Sequence, residues 1–347
     1  MTTITQRLLF DAIEGDSETG GWTASCSSLN AQDIVEYGRH VSIYHCPEGR
    51  GRWSDDYLLA LDGTMFPKSI RWDRGQSATD VVVSTSHAFL QNAGVQGIYF
   101  SRQSSPSNPH QMTDLNLGRI IYHIVRYHTN LADWADLSGI DVEDSTAVDV
   151  YTVHESNSIW DTLKNIASNE FYVVYFTRTD RLMYRPHPMF DVTPPPPVVT
   201  LDRTYIIGQP SIEYRDMVFP DQVQLYALTD TGQILQAFYP SNMGAEGRRH
   251  RVTNIRCNSQ SRLNTLASRL YQYLRRRFTL TVTLPGSWGL NLELYDRVAV
   301  TYSGTASNGV QFNWDQKKFW ITSIRVTRLH QFGAASEITL EEENLEG

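Results

Sequence analysis

Cysteine is scarce in this chain, which has only Cys26, Cys46 and Cys257 among its 347 residues. A disulfide framework needs more cysteines, and without a CxxC pair neither a zinc ribbon nor a redox dithiol can form. We therefore expect three buried or half-buried thiols. A disulfide between Cys26 and Cys46 is the alternative, but folding in a reducing compartment fits so few cysteines better.

Long hydrophobic segments are also missing. The N-terminus, Met1–Phe10, has one basic residue and only three consecutive apolar residues, unlike a secretory signal peptide. The longest apolar runs, such as Tyr172–Phe176, are far shorter than the ~20 residues that span a bilayer. We expect a soluble protein made in the host cytoplasm, without an export signal of its own and without a membrane span.

Lysine is rare, since only four of the 30 basic residues are lysine and the rest are arginine. The 38 acidic residues leave a formal charge of −8, which argues against a protein that grips nucleic acid by neutralising phosphates. Arginine makes planar, bidentate contacts that suit protein interfaces. The few basic runs supply the candidate interface residues, which are Arg248, Arg249, Arg251, Arg275, Arg276 and Arg277.

Motifs of the common hydrolases are absent from the sequence. Gly286-Ser287-Trp288-Gly289 comes nearest to a nucleophile elbow, but it lacks the G-x-S-x-G spacing and follows a proline turn. Neighbouring acids such as Glu341–Glu343 do not by themselves hold two carboxylates across a cleft. Isolated glycines at turns do not form a phosphate-binding loop. We expect no enzymatic activity and no cofactor.

The histidines show no metal-binding motif. His123 and His128 lie five residues apart on a predicted helix with no glutamate between them, so their side chains diverge by more than a quarter turn. We expect both to flank the apolar face of that helix. His40 and His45 have the same spacing outside a helix, which is a weaker signal. The sequence thus predicts no metal site.

Short β-prone runs dominate both ends of the chain. In the first part, Ser42–Cys46 and Asp80–Ser86 are two of several strands at about ten-residue spacing, which indicates a small barrel or sandwich. In the second part, Gln222–Leu228 and Gln233–Tyr239 form a predicted hairpin. Strict alternation over Phe278–Leu284 predicts a half-buried strand. A C-terminal barrel is expected from these strands.

Helical periodicity appears mainly between the two strand-rich parts. One helix is predicted with Thr113 as its N-cap and an apolar stripe from Leu117 to Val125. A short helix over Asn130–Gly139 and a clear one over Ser158–Ser168 follow. The last predicted helix spans Ser259–Arg277, where the three terminal arginines complement the helix dipole.

The order of these elements resembles the hub proteins of bacteriophage tail baseplates. A helix in Val153–Ala167 leads into the hairpin Phe171–Pro186, with a short polar turn and a closing proline. Further on, the helix over Leu263–Leu274 feeds the strand Phe278–Leu284. An Asp-x-Val step at Asp296–Val298 then resembles the strand that enters the second tube-type barrel of that family. The resemblance covers residues 150–347 well and 50–112 more loosely.

The resemblance implies an α+β, β-rich fold with two tube-type antiparallel β-barrel domains and an intervening helical and α/β insert. The implied boundaries are 1–112 for the first barrel, 113–200 for the insert, and 201–347 for the second barrel with helix 259–277. Three such chains would form a homotrimer with pseudo-sixfold symmetry. This trimeric baseplate or tail-tip hub would adapt a sixfold tail tube to a threefold spike and line the DNA channel during genome ejection.

The resemblance also implies the partners and the location. We expect the chain at the distal end of the virion tail, in contact with the tail tube or a distal tail protein and with the tape measure protein. Because the sequence ends soon after the last predicted strand, a separate polypeptide is expected to supply the spike or fibre. DNA would be a partner only in passage, since an acidic wall does not hold a polyanion.

Two other functions remain open at this point. Eight tryptophans and eighteen tyrosines are compatible with a receptor- or carbohydrate-binding tail protein, because aromatic faces stack on sugars. Aromatic residues also populate cores and protein interfaces, however. A cell-wall hydrolase of the tail tip is the second alternative, and it has no recognisable catalytic motif.

Overall fold

The computed structural model describes most of the chain. The described residues are 8–28, 39–45, 58–73, 76–129, 131, 135–143, 145–191, 193–214, 219–242, 247–275, 278–286, 288–305, 309, 311–327 and 335–343.

The N-terminal part is built from strands, as predicted. Alternating and β-branched residues form five of them before the first helix. They are β1 (Leu8–Asp16), β2 (Gly21–Ser28), β3 (Arg39–His45), β4 (Leu58–Asp73) and β5 (Gln76–Ser84).

The middle of the chain mixes helices with short strands. The elements in chain order are α1 (His87–Gln91), β6 (Ile98–Arg102), β7 (Gln111–Met112), α2 (Leu117–His128), β8 (Asp136–Ile140), β9 (Val150–Val153), α3 (Ile159–Ser168), β10 (Tyr172–Phe176) and β11 (Arg181–Pro186). Among the residues described, no helix is both long and apolar enough to cross a lipid bilayer.

The C-terminal part returns to strands around one long helix. Its elements are β12 (Val199–Leu201), β13 (Ile207–Tyr214), β14 (Gln222–Leu228), β15 (Ile234–Tyr239), β16 (Arg249–Arg256), α4 (Gln260–Leu274), β17 (Phe278–Pro285), β18 (Arg297–Thr305), β19 (Gln311–Thr327) and β20 (Ala335–Glu342).

One eleven-stranded sheet contains strands from both ends of the chain. Its order is β13-β17-β20-β19-β1-β2-β5-β4-β3, with β18 also on β19 and β12 on β18. The link between the two ends is the antiparallel pair β1–β19, which runs from Ala12 opposite Thr327 to Asp16 opposite Ser323. The predicted β-rich α+β class is confirmed. The described strands form no closed barrel, because β13 and β3 stand at the ends of the order.

Three hydrophobic cores lie beneath these sheets. The largest belongs to the eleven-stranded sheet and joins N-terminal residues such as Trp22 to C-terminal ones such as Ile321. A second core packs α2 and α3 against β6, β9 and β10. The third packs α4 against the small sheet β15-β14-β16. Cys26 and Cys257 are buried as predicted, and Cys46 lies outside the described residues, so the expectation that Cys46 is an unpaired thiol stays a prediction.

Helix starts follow the capping rules, with one correction. Ser158 and Ser259, where the two predicted helices begin, cap α3 and α4 by accepting a backbone N–H in the first turn. The predicted cap Thr113 is wrong. Asn116 caps α2 instead, and its side-chain oxygen accepts from the Arg119 N–H at 2.8 Å.

The prediction of a helix over Asn130–Gly139 is also wrong. The end of this segment that the structure describes belongs to strand β8. Residues 136–140 pair in parallel with β11, with Gly139 opposite Met183. A Cβ at Gly139 would lie 2.6 Å from the Leu182 carbonyl oxygen. The glycine that signalled a helix end in the sequence therefore allows close approach of two strands.

The helical insert is held against the large sheet by a few directional contacts. Trp160 of α3 is buried, and its Nε1–H donates to the Thr19 carbonyl at 2.8 Å, in the β1–β2 turn. In the β10–β11 turn, the Asp180 carboxylate accepts the Ser86 N–H and hydroxyl, both at 2.6 Å. In the same turn, Nε of Arg178 lies 3.4 Å from Oε1 of Glu293. Each contact joins segments far apart in sequence.

We predict that Gly20→Ala destabilises the fold more than Gly232→Ala. Gly20 has φ +74° and Gly232 has φ +82°, so both substitutions meet left-handed backbone strain of about 1 kcal/mol. At Gly20 the new Cβ would also lie 2.7 Å from Trp160 Cζ2, whereas Gly232 has open space. Overpacking adds about 1–3 kcal/mol. Denaturant midpoints of the two variants measure the difference, and equal midpoints would contradict the packing argument.

A pH dependence is expected at the Arg178–Glu293 contact. Burial raises the pKa of Glu293 to about 7, although Arg178 opposes this shift. The folded state therefore keeps a proton that the unfolded state has lost, and this contribution to stability falls as pH rises from 4.5 to 7.

Relative to Glu293→Gln, we expect the natural protein to lose stability across that pH range. Thermal melting of both proteins at several pH values measures the trend. Glu14→Gln is the control variant. Oε1 of Glu14 lies 2.6 Å from Nε of Arg325, so this substitution also removes a carboxylate from an ion pair. A stability difference that stays constant with pH, or grows the other way, would show that Glu293 is not the cause.

Candidate functional site

The small sheet β15-β14-β16 has one face in the core under α4 and one face that points away from α4. Val223, Leu225 and Ala227 of β14 point into the core under α4. The alternate residues of β14, with their cross-strand partners, form the opposite face, because side chains alternate across a strand. Gln224 pairs with Phe238 on β15 and with Arg251 on β16, so these side chains share that face. We call it the outer face.

The outer face combines exposed apolar and aromatic groups with arginine. Ile234 is 69% exposed and Phe238 is 40% exposed. Tyr226 packs edge-on against Phe238 with ring centroids 6.1 Å apart, and the Arg251 guanidinium lies 5.4 Å from the Tyr226 ring. Tyrosine, phenylalanine and arginine are the residues enriched at protein interfaces. The composition favours contact with another protein.

Of the six predicted interface arginines, the four described ones do not all lie on one surface. Arg249 and Arg251 alternate with His250 on β16 and lie on the outer face, opposite Gln222 and Gln224. Arg248 precedes that strand, and its N–H donates to Asp221 at 2.8 Å. Arg275 follows α4, where its guanidinium lies 5.0 Å from the Tyr271 ring. Arg276 and Arg277 are outside the described residues.

A wide-open groove of about 490 Å³ runs along α4. Its lining residues are Tyr239, Asn264, Thr265, Ser268, Arg269 and Gln272. None of these is a carboxylate or an imidazole, so the groove does not supply the acid–base pair that hydrolysis uses.

Three histidines converge at the end of α2. His123 is buried and His128 exposed on that helix, while His110 comes from the loop before β7. The ring centroid of His110 is 5.1 Å from that of His123 and 5.8 Å from that of His128, and the last two are 5.6 Å apart. The spacing in the sequence predicted that the His123 and His128 side chains diverge, but their ring centroids lie only 5.6 Å apart. Sequence reasoning also missed His110, because no local pattern links a loop residue to a helix.

Burial dominates the electrostatics of this cluster. It lowers the pKa of His123 to about 4, with His110 and His128 adding to the shift and the Pro109 carbonyl opposing it. The pKa of His128 is lowered by the same causes, burial and His110. The imidazoles of His123 and His128 are therefore neutral at pH 7, and a neutral imidazole has a lone pair free to accept a proton or a metal ion.

No family model matches the sequence, and no curated protein matches it either. Solved structures match the whole fold. A tail protein from Neisseria meningitidis MC58 is 16% identical, with 98% of this chain and 93% of that chain covered and a TM-score of 0.64. The 43 kDa tail protein of prophage MuSo2 from Shewanella oneidensis is 11% identical, with 98% and 96% covered and a TM-score of 0.60.

A third similar structure comes from a secretion system. It is an E. coli component of the type VI secretion system, described as structurally similar to the T4 bacteriophage tail proteins gp27 and gp5. It is 9% identical to this chain, with 98% of this chain and 75% of that chain covered and a TM-score of 0.54. The chain thus has the fold of phage tail and type VI secretion proteins, which confirms the resemblance to tail hub proteins predicted from its sequence.

Proposed function

We propose that this chain is a structural virion protein that forms a homotrimeric baseplate or tail-tip hub. The observation that carries the proposal is a fold shared over almost its full length with proteins described as phage tail components. A hub of this kind adapts the sixfold tail tube to a threefold spike or tip. It acts by shape, and its function needs no catalysis.

In this proposal each chain contributes two similar barrel-like units to the trimer, with boundaries at 1–112 and 201–347 and the insert at 113–200. The pair β1–β19 joins the N-terminal and C-terminal units edge to edge in one sheet. The end strands β3 and β13 each have one neighbour in the described sheet order. Three chains that meet through these end strands would continue the sheet around a ring with threefold symmetry.

Exposed apolar residues support β13 as a contact between subunits. Ile207 is 51% exposed and Tyr214 is 50% exposed on this end strand. Large apolar groups on a sheet edge favour pairing with another chain. Pro210 lacks an N–H for such pairing, so we assign the contact to the residues on either side of it, Ile207 and the segment from Ser211 to Tyr214.

The net charge supports a role as a DNA conduit. The formal charge is −8, and we place acidic groups on the channel wall, where they would let a polyanion pass without binding it. We place the hub at the distal end of the tail, next to the tail tube or distal tail protein and the tape measure protein. A separate spike or fibre polypeptide completes the tip.

Light scattering should show a trimer, with a mass of about three times the 39.6 kDa of one chain. We expect Ile207→Lys to reduce trimerisation, because a charge would face the neighbouring subunit at β13. Ile234→Lys is the matched control, since Ile234 is 69% exposed on the outer face instead. A dimer would contradict the proposal. Loss of the trimer in Ile234→Lys but not in Ile207→Lys would indicate that the subunits contact each other through the outer face instead.

The outer face is proposed as a contact with a neighbouring tail protein. We expect the double variant Arg249→Glu/Arg251→Glu to remain trimeric but to assemble poorly into tails, with affinity for the neighbour reduced about 10- to 30-fold. Complementation of a phage that lacks the natural chain measures tail assembly. Arg119→Glu/Arg126→Glu on α2 makes the same charge change elsewhere. Normal tails with the outer-face variant would contradict this assignment.

A further inference from the structure

The histidine cluster at the end of α2 joins two segments that share no secondary structure element. His110 ends an exposed loop, where its N–H donates to Asn108 at 3.0 Å and its carbonyl accepts the Ser101 N–H at 3.2 Å. Its ring packs edge-on against Phe100, as does the ring of His123, with centroids 5.6 and 5.3 Å apart. Phe100 thus holds both imidazoles on one side.

The buried ring nitrogens of this cluster make no well-formed hydrogen bond within the described part of the chain, although the Pro109 carbonyl lies near the His123 ring. His123 is only 4% exposed, and neither of its ring nitrogens makes a well-formed hydrogen bond. Nδ1 of His110 is buried in the same way. An unpaired buried polar group is unfavourable, and packing with apolar side chains does not compensate for it. The buried ring nitrogens of the cluster therefore need a polar partner, and the described neighbouring residues do not fully provide one.

We propose that His110, His123 and His128 bind one divalent transition-metal ion, with zinc as the best fit. One ring nitrogen from each residue lies within 4.8 Å of the other two. A tetrahedral zinc site needs nitrogens about 3.3 Å apart, so modest rotations of the rings would bring the three onto one ion. Imidazole nitrogens suit zinc and its neighbours in the first transition series, whereas calcium and magnesium prefer oxygen.

The surroundings of the cluster agree with this assignment. His128 is the last residue of α2, where the partial negative charge of the helix end attracts a cation. Because His128 is exposed, water can take the fourth coordination position. The ion would fasten the loop that precedes β7 to the end of α2, so its role is structural. This inference is independent of the hub function.

The test uses the full chain, purified without a histidine tag, stripped with a chelator and dialysed against zinc sulfate. We expect about one zinc per chain by elemental analysis, and a melting temperature raised by about 2–4 °C when zinc is in excess. Cobalt(II) should give the intense visible absorption of a tetrahedral nitrogen site. His110→Ala and His128→Ala should each abolish the zinc uptake, the thermal shift and the cobalt spectrum.

His154→Ala is the matched control, because His154 is an exposed histidine of the same region outside the cluster. It should bind zinc like the natural chain. The two alanine variants avoid the buried His123, and circular dichroism checks that they are folded. Zinc uptake well below one per chain would overturn the proposal. So would equal uptake in the natural chain and in His128→Ala, or a loss of uptake in His154→Ala.

Discussion

The antiparallel pairing of β1 with β19 is the contact on which the rest of the structure depends. It brings residues 12–16 beside residues 323–327, which are almost the full chain apart. Closing so long a loop has a large entropic cost, so the pair forms only with the apolar core that it helps to cover. One continuous sheet results, and it is the platform against which the helical insert packs.

The insert is oriented on that platform by buried and half-buried polar contacts rather than by apolar area alone. The Trp160 indole, the Asp180 carboxylate and the Arg178–Glu293 pair each need a defined geometry, because a buried donor or acceptor without its partner is unfavourable. Glu170 has the same role inside the insert, where it accepts from Ser145 at 2.8 Å and from the Thr146 N–H at 2.6 Å. These contacts hold the helices in one position relative to the sheet.

Elements with strong local signals were predictable. α3 and α4 lie where apolar periodicity indicated, and the hairpin β10–β11 has its predicted polar turn. The prediction for residues 130–139 is wrong at its described end because β11 provides a parallel neighbour that no local pattern announces. Thr113 lost the capping role to Asn116, whose side chain also donates to the Val142 carbonyl at 2.6 Å. In both places, a contact with a residue distant in the sequence decided the local structure.

By itself, the sequence determined the strand and helix periodicities, the acidic net charge, the preference for arginine over lysine, and the likeness to tail hub proteins. These properties depend on composition and on neighbours along the chain. Only the tertiary structure decided that Arg251 lies against Tyr226 and that His110 meets His123 and His128. Such contacts join residues on different elements, and their distances are set by how sheets and helices pack rather than by spacing in the chain.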